Sequence, residues 1–205
     1  MSDLIVLGVD PGLARCGLAA IAGQRLLHRE TIRTVPADGD EVHRADLIAD
    51  RVRAAIAELP VEVGLVAIET QYIPELPRGR TDAEAAMREL QGKASSALWV
   101  AYVAGGLQQI ARALSIPVVT VTPAEGKRAL TGNHKADKAA MQRMAEAWFG
   151  EDMSEHEADA CGHALAGQQK VAGRATGAQT RRQLRPEATA GLPERVRRCI
   201  PEAKR

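Results

Sequence analysis

Residues 4–12 read LIVLGVDPG. An unbroken apolar run stops at Asp10-Pro11-Gly12, the pattern of a buried strand running into a turn. The same design returns at residues 63–69, VGLVAIE, a second continuous apolar run that ends on an acid. Each strand carries one carboxylate, Asp10 or Glu69, to a sheet edge where the backbone holds it in place.

Working outward, residues 17–23 and 25–34 read as two more strands joined by a tight Gly-Gln turn. Residues 40–59 place Val42, Leu47, Ile48, Val52, Ile56 and Leu59 at helical spacing, and Pro60 ends that helix. Residues 74–92 are polar and rich in Pro, Arg and Glu, with Thr81 or Asp82 as caps for a short helix. Residues 95–115 predict a long Ala- and Leu-rich helix broken at Gly105-Gly106. Residues 117–121 predict a strand. Thr122-Pro123-Ala124-Glu125 then offers an N-cap, Pro at the first helical position and Glu at the third. Residues 131–134 read as a loop and 135–149 as a helix. Ser154-Glu155-His156-Glu157 is a capping box for a helix running to about residue 170. Strands first, then alternating helix and strand, make an α/β fold with a mixed central β-sheet flanked by helices. Residues 1–170 form one domain in this reading. Residues 171–205 form a basic, flexible C-terminal tail with a short helix near 193–200.

Composition narrows the class. The chain has 205 residues, 45% of them hydrophobic, which excludes global disorder. Two Trp, two Tyr and one Phe leave the core to Ala, Leu, Val and Ile. Three widely spaced cysteines argue against a disulfide scaffold and for a reducing compartment. The first apolar run is too short for a membrane span and has no basic lead, so the expected location is cytoplasmic, with no membrane partner. The net charge of +1 is a cancellation. Residues 170–205 hold ten basic residues against three acids, a tail of +7. The 17 basic and 23 acidic residues that remain leave the body at −6.

Asp10 and Glu69 are joined by His156-Glu157-Ala158-Asp159 in the first turns of the last helix, where positions 156 and 159 share a face. Carboxylates on rigid elements are what Mg²⁺ requires, since it binds few carboxylates and keeps waters or substrate phosphates. Two such ions about 3.5–4 Å apart activate a water and stabilise the leaving oxygen of a phosphodiester. Taken singly, each signal has a plainer reading. Asp-Pro-Gly is a common turn, a strand-ending acid is often a solvated edge, and His156 and Glu157 suit a helix's first turn. Lys127, Arg128, Lys135, Lys138 and Arg143 form a basic stretch between the second and third acids. It is suited to backbone phosphates or equally to a solvated helical face.

Five separated stretches, GVDPGLARCG, TIRT, VAIET, TPAEGKRALTGNHKADKAAMQRM and HEADACGHALA, together resemble the RuvC-type Holliday junction resolvases. The resemblance runs from about residue 4 to residue 170, in the family's order. It implies an RNase H-like fold and a homodimeric, Mg²⁺-dependent endonuclease in which Mn²⁺ substitutes. The implied substrate is a four-way junction or other branched DNA, and the implied partner is a branch-migration motor. The resemblance marks Asp10, Glu69 and Asp159 as catalytic, metal-binding acids and puts His156 in the fourth catalytic position, where a neutral imidazole would ligate a metal or orient or protonate a phosphate oxygen. It marks Lys127 and Lys138 as DNA contacts, with Arg128 and Lys135 beside them. Tyr72 stands where the family carries a loop aromatic, which would stack on an unpaired base; a core-edge tyrosine is the plainer reading.

Between Tyr72 and Lys93 the chain carries IPELPRGRTDAEAAMRELQG, longer than the family's usual loop, and the following helix lacks the family's polar Gly-Gln-Ala-Arg-Gly-like run. The basic tail is also longer. These departures suit a diverged or phage-type member with a wider set of branched substrates. Three other readings compete: a non-catalytic branched-DNA binding protein, an actin-like or sugar-kinase ATPase, and an RNase H-like nuclease acting on RNA hybrids. The ATPase reading fits poorly, because that fold needs two such domains and 205 residues hold one.

Overall fold

The computed structural model describes residues 4–70 and 83–175. Five strands form one mixed sheet: β1 (Ile5–Asp10), β2 (Arg15–Ala22), β3 (Arg25–Arg33), β4 (Leu65–Glu69) and β5 (Val118–Val121), in the order β3-β2-β1-β4-β5. β1, β2 and β3 pair antiparallel through tight turns. β4 and β5 add parallel to β1. Parallel neighbours need a crossover, supplied here by α1 (Glu41–Glu58) and α2 (Ala83–Ala113). After β5 the chain forms α3 (Pro123–Thr131), α4 (Lys138–Phe149) and α5 (Glu155–Ala175).

The continuous apolar runs follow from this layering. Leu7 and Val9 of β1, with Val66 and Ile68 of β4, join one core with Ile48 and Val52 of α1 and Leu107 and Ile110 of α2. Val6, Leu65 and Ala67 join the opposite core with Met141 of α4 and Ala160, Cys161 and Ala164 of α5. Alternate side chains thus enter different cores, and neither face is left polar. Among the described residues, no helix is long and apolar enough to cross a membrane.

Caps set most boundaries. Asp40 accepts from the His43 N–H at the start of α1, and Thr122 with Glu125 closes the expected capping box on α3. Asp137 accepts from the Ala140 N–H, so α4 opens at Lys138 rather than at the expected residue 135. Lys135 lies in the preceding turn, its N–H donated to Asn133 Oδ1. Ser154 and Glu157 form the expected reciprocal box at α5.

Two further expectations are corrected. Gly105-Gly106 does not break α2, which is continuous from Ala83, so residues 83–92 join one long helix. The reason is tertiary: Val103, Ala104, Leu107, Ile110 and Ala111 are buried around the glycine pair, and packing outweighs a propensity cost of about 1 kcal/mol per glycine. α5 also runs on to Ala175, so the expected boundary at residue 170 falls inside a helix. Tyr72, most of the basic tail and the helix expected near 193–200 lie outside the described residues.

α5 is the element that builds the site, and two glycines let it lie against the sheet. A Cβ on Gly8 would sit 2.0 Å from the Ala160 carbonyl oxygen, and one on Gly17 2.0 Å from that of His156. Its first turn is tied to β3, because Glu157 accepts from Arg29 Nη1 at 3.1 Å and from Thr31 Oγ1 at 3.2 Å. Gly17→Ala is therefore expected to push α5 off β2 and cost at least about 1–3 kcal/mol, read from the denaturation midpoint. Activity should fall further than stability, because His156 moves with the displaced backbone.

Candidate active site

Asp10 and Glu69 are the last residues of adjacent parallel strands, with Val9 paired to Ile68. That register brings two carboxylates to the same end of the sheet. α5 crosses this end and presents His156, Asp159 and His163. These positions lie three and then four apart, along one face of the helix.

His156 Nδ1 donates to Asp10 Oδ2 at 2.8 Å. That hydrogen bond holds the imidazole above the usual histidine range, although partial burial works against it. On the other side, His163 Nε2 lies 3.0 Å from Glu69 Oε2. Ligand atoms of Asp10, Glu69 and His163 all lie within 4.8 Å of one another. Asp159 is not in that group of ligand atoms but feels its charges. Burial, and then the charges of Asp10 and Glu69, push its carboxyl up to about 6. Carboxylates gathered at one end of a sheet, one of them raised by burial and by its neighbours' charges, fit a hard divalent cation that takes oxygen ligands.

The sequence-derived residues divide accordingly. Asp10 and Glu69 share a group of ligand atoms with His163, His156 is hydrogen-bonded to Asp10, and Asp159 lies outside that group but within reach of the charges of Asp10 and Glu69. Lys138, the first residue of α4, pairs with Glu155, and the charges of Asp159 and Asp10 add to its raised pKa, so it stands beside the acids. Lys127 and Arg128 lie on α3 next to Gly126, which touches His163. Lys135 is exposed in the turn before α4. His163 escaped the sequence reading. Its signal was the helical spacing from His156 and Asp159 within HEADACGH, but that spacing equally describes a core position. Glu157, the other acid of that stretch, is spent on the cap and on Arg29.

A cleft of about 470 Å³ opens beside His156, lined among others by Gly12, Arg15, Arg44, Ser95 and Trp99. Arg44 is almost wholly buried and is held by Thr34, whose Oγ1 accepts from its Nε at 3.0 Å. A mixed five-stranded sheet with carboxylates at its open end, closed by an acidic helix beside a cleft with two arginines, is the design of a metal-dependent nuclease of the RNase H-like fold.

Comparison with known proteins specifies which one. The model of the family described as crossover junction endodeoxyribonuclease RuvC matches residues 6–167. The RuvC of Nocardia farcinica is 38% identical over 164 residues, covering 76% of this chain and 74% of that protein. The RuvC of Bifidobacterium adolescentis is 32% identical over 163 residues, covering 77% and 74%. A Thermus thermophilus RuvC structure in complex with Holliday junction substrate superposes with a TM-score of 0.58 at 29% identity, over 80% of this chain and 92% of that one. The chain belongs to the RuvC family of crossover junction endodeoxyribonucleases. It is an endonuclease, a hydrolase of phosphodiester bonds.

Proposed function

We propose that this chain resolves four-way DNA junctions as a homodimer, nicking two opposed strands symmetrically with Mg²⁺ held by Asp10, Glu69 and Asp159. The observation that carries the reading is the meeting of two strand-end acids and a third, helical acid of raised pKa at one end of the sheet. Exposed Leu98 and Tyr102, one turn apart on α2, support a second copy docking there. A two-fold dimer suits a substrate with two equivalent strands. A branch-migration motor as further partner rests on the family resemblance, and a cytoplasmic location on the three widely spaced cysteines.

Divalent ions bound at the acids would supply Lewis-acid stabilisation of the charge that builds on the phosphate. The protein's own groups do the rest. Asp10 and Glu69 are placed by the strand backbone and would hold the ions in turn. His156 is favoured in its doubly protonated form by the bond from Nδ1 to Asp10 and lines the cleft, where its Nε2 hydrogen can pass to the leaving 3′ oxygen as a water attacks the phosphorus. The products are a 5′-phosphate and a 3′-hydroxyl. Lys127, Arg128, Lys135 and Lys138 neutralise the approaching backbone, and Tyr72 stacks on an unpaired base.

Synthetic four-way junction, fork, flap, duplex and RNA–DNA hybrid substrates, cut in Mg²⁺ and in Mn²⁺, test the reading. Paired nicks confined to the junction are expected. Equal cutting of duplex would remove structure selectivity, and preference for the hybrid would move the protein to RNA processing.

A further inference from the structure

We propose that His163 is a positioning residue for Glu69, an inference that rests on Glu69 acting in the reading above. His163 is 2% exposed, and its Nε2 lies 3.0 Å from Glu69 Oε2. A carboxylate oxygen at that distance accepts, so Nε2 carries the hydrogen. The other ring nitrogen, Nδ1, is buried with no hydrogen-bond partner among the described residues. Leaving a lone pair unmatched there costs less than burying an unmatched N–H, so the neutral ring adopts the tautomer protonated at Nε2. A protonated ring would also donate from Nε2, so the bond to Glu69 survives in either charge state.

The ring is also clamped from behind. A Cβ on Gly126 would lie 2.7 Å from His163 Nδ1 and 3.1 Å from its Cε1. A Cβ on Gly162 would lie 2.9 Å from the Gly126 carbonyl oxygen. The bare backbone of α3 therefore seats the imidazole, and any side chain at position 126 would drive it toward Glu69 or displace it. Glu69 itself is not packed in: its side chain is 23% exposed at the mouth of the site. A glutamate with three free torsions needs one oxygen anchored if the other is to meet an ion in a set orientation. His163 anchors Oε2 and leaves Oε1 to the site. Hydrogen-bond partners behind a metal-binding carboxylate of this kind are commonly worth about 10–100-fold in metal affinity or activity.

The test uses the full chain. Long-range ¹H–¹⁵N correlation on the metal-free protein, with His163 assigned by the signal lost in His163→Gln, should show Nε2 protonated. A ring protonated at Nδ1 alone would overturn the proposal and make His163 a cation ligand. Mn²⁺ binding without DNA, by water-proton relaxation, should weaken about tenfold or more in His163→Ala, with kcat falling in step. Junction affinity in Ca²⁺ should stay within about twofold of wild type. His163→Gln, whose amide nitrogen reaches the same point, should recover most of both losses. Mn²⁺ affinity and kcat unchanged in a folded His163→Ala, or Gln no better than Ala, would sink the idea. Should His163→Ala fail to fold, the tautomer and the glutamine variant still decide it. Should the wild-type protein cut no junction, the proposed function fails while the tautomer and Mn²⁺ readouts remain informative.

Discussion

Asp10→Asn is expected to reduce junction cleavage by at least about 10³-fold, equivalent to ~4 kcal/mol at the barrier, and to leave the protein folded and able to bind DNA. The substitution keeps the shape of the side chain and removes one negative charge from the group of ligand atoms formed with Glu69 and His163. It also strikes His156. That imidazole is held above its usual range first by its hydrogen bond to Asp10, so the neutral amide should let its pKa fall back. Metal affinity and the proton on His156 are thus lost together. Neither loss is structural, because the strand around Asp10 is set by Val6, Leu7 and Val9, all fully buried. Cleavage with Mg²⁺ and gel-shift binding in Ca²⁺ check the two halves. A variant that still cuts at a tenth of the wild-type rate would remove Asp10 from the site.

Asp159→Asn should abolish cleavage as well, yet make the metal-free protein more stable at alkaline pH. Burial and the neighbouring acids raise the Asp159 carboxyl to about 6 from an ordinary 3.8. A raised folded pKa means that stability is fully present below the unfolded value and is lost as pH rises through about 6. His156, also raised, has the same sign, its contribution present at acid pH and lost above its folded pKa. The metal-free protein should therefore weaken between pH 5 and pH 8. The Asp159 share is about 1–3 kcal/mol, the lower end allowing for solvent screening on its open side. Asparagine removes that share. At pH 8 without metal the variant should melt several degrees above wild type, and at pH 4 the two should converge. Mg²⁺ should raise the wild-type melting temperature more at pH 8 than at pH 5.5, where it must displace the Asp159 proton, and should do little for the variant. A variant less stable than wild type at pH 8 would mean that the cluster carries no excess charge.

Local chemistry made the site's outer elements readable. A short, Val- and Ile-rich apolar run bounded by a turn, such as LIVLGVDPG or VGLVAIE, fits a buried strand, and an acid that ends such a strand lies at the sheet's end. Thr122 with Glu125 and Ser154 with Glu157 are helix starts because the side chain that satisfies the free N–H groups sits within the same turn. Where local signals misled, packing outweighed them. Gly105-Gly106 reads as a break, but the core formed by Val103, Leu107 and Ile110 carries α2 straight through it.

The sequence by itself therefore determined that Asp10 and Glu69 end their strands, that α3 and α5 are capped at Thr122 and Ser154, and that Asp10, Glu69 and Asp159 are candidates for one acidic site. Only the tertiary structure decided which side of α5 faces them. His163 has the spacing of a site residue and of a core residue alike. It meets Glu69 because α5 lies on Gly8 and Gly17 while Gly126 opens a slot behind the ring. Such contacts join positions as far apart as 69, 126 and 163, and no local propensity encodes which of them will touch.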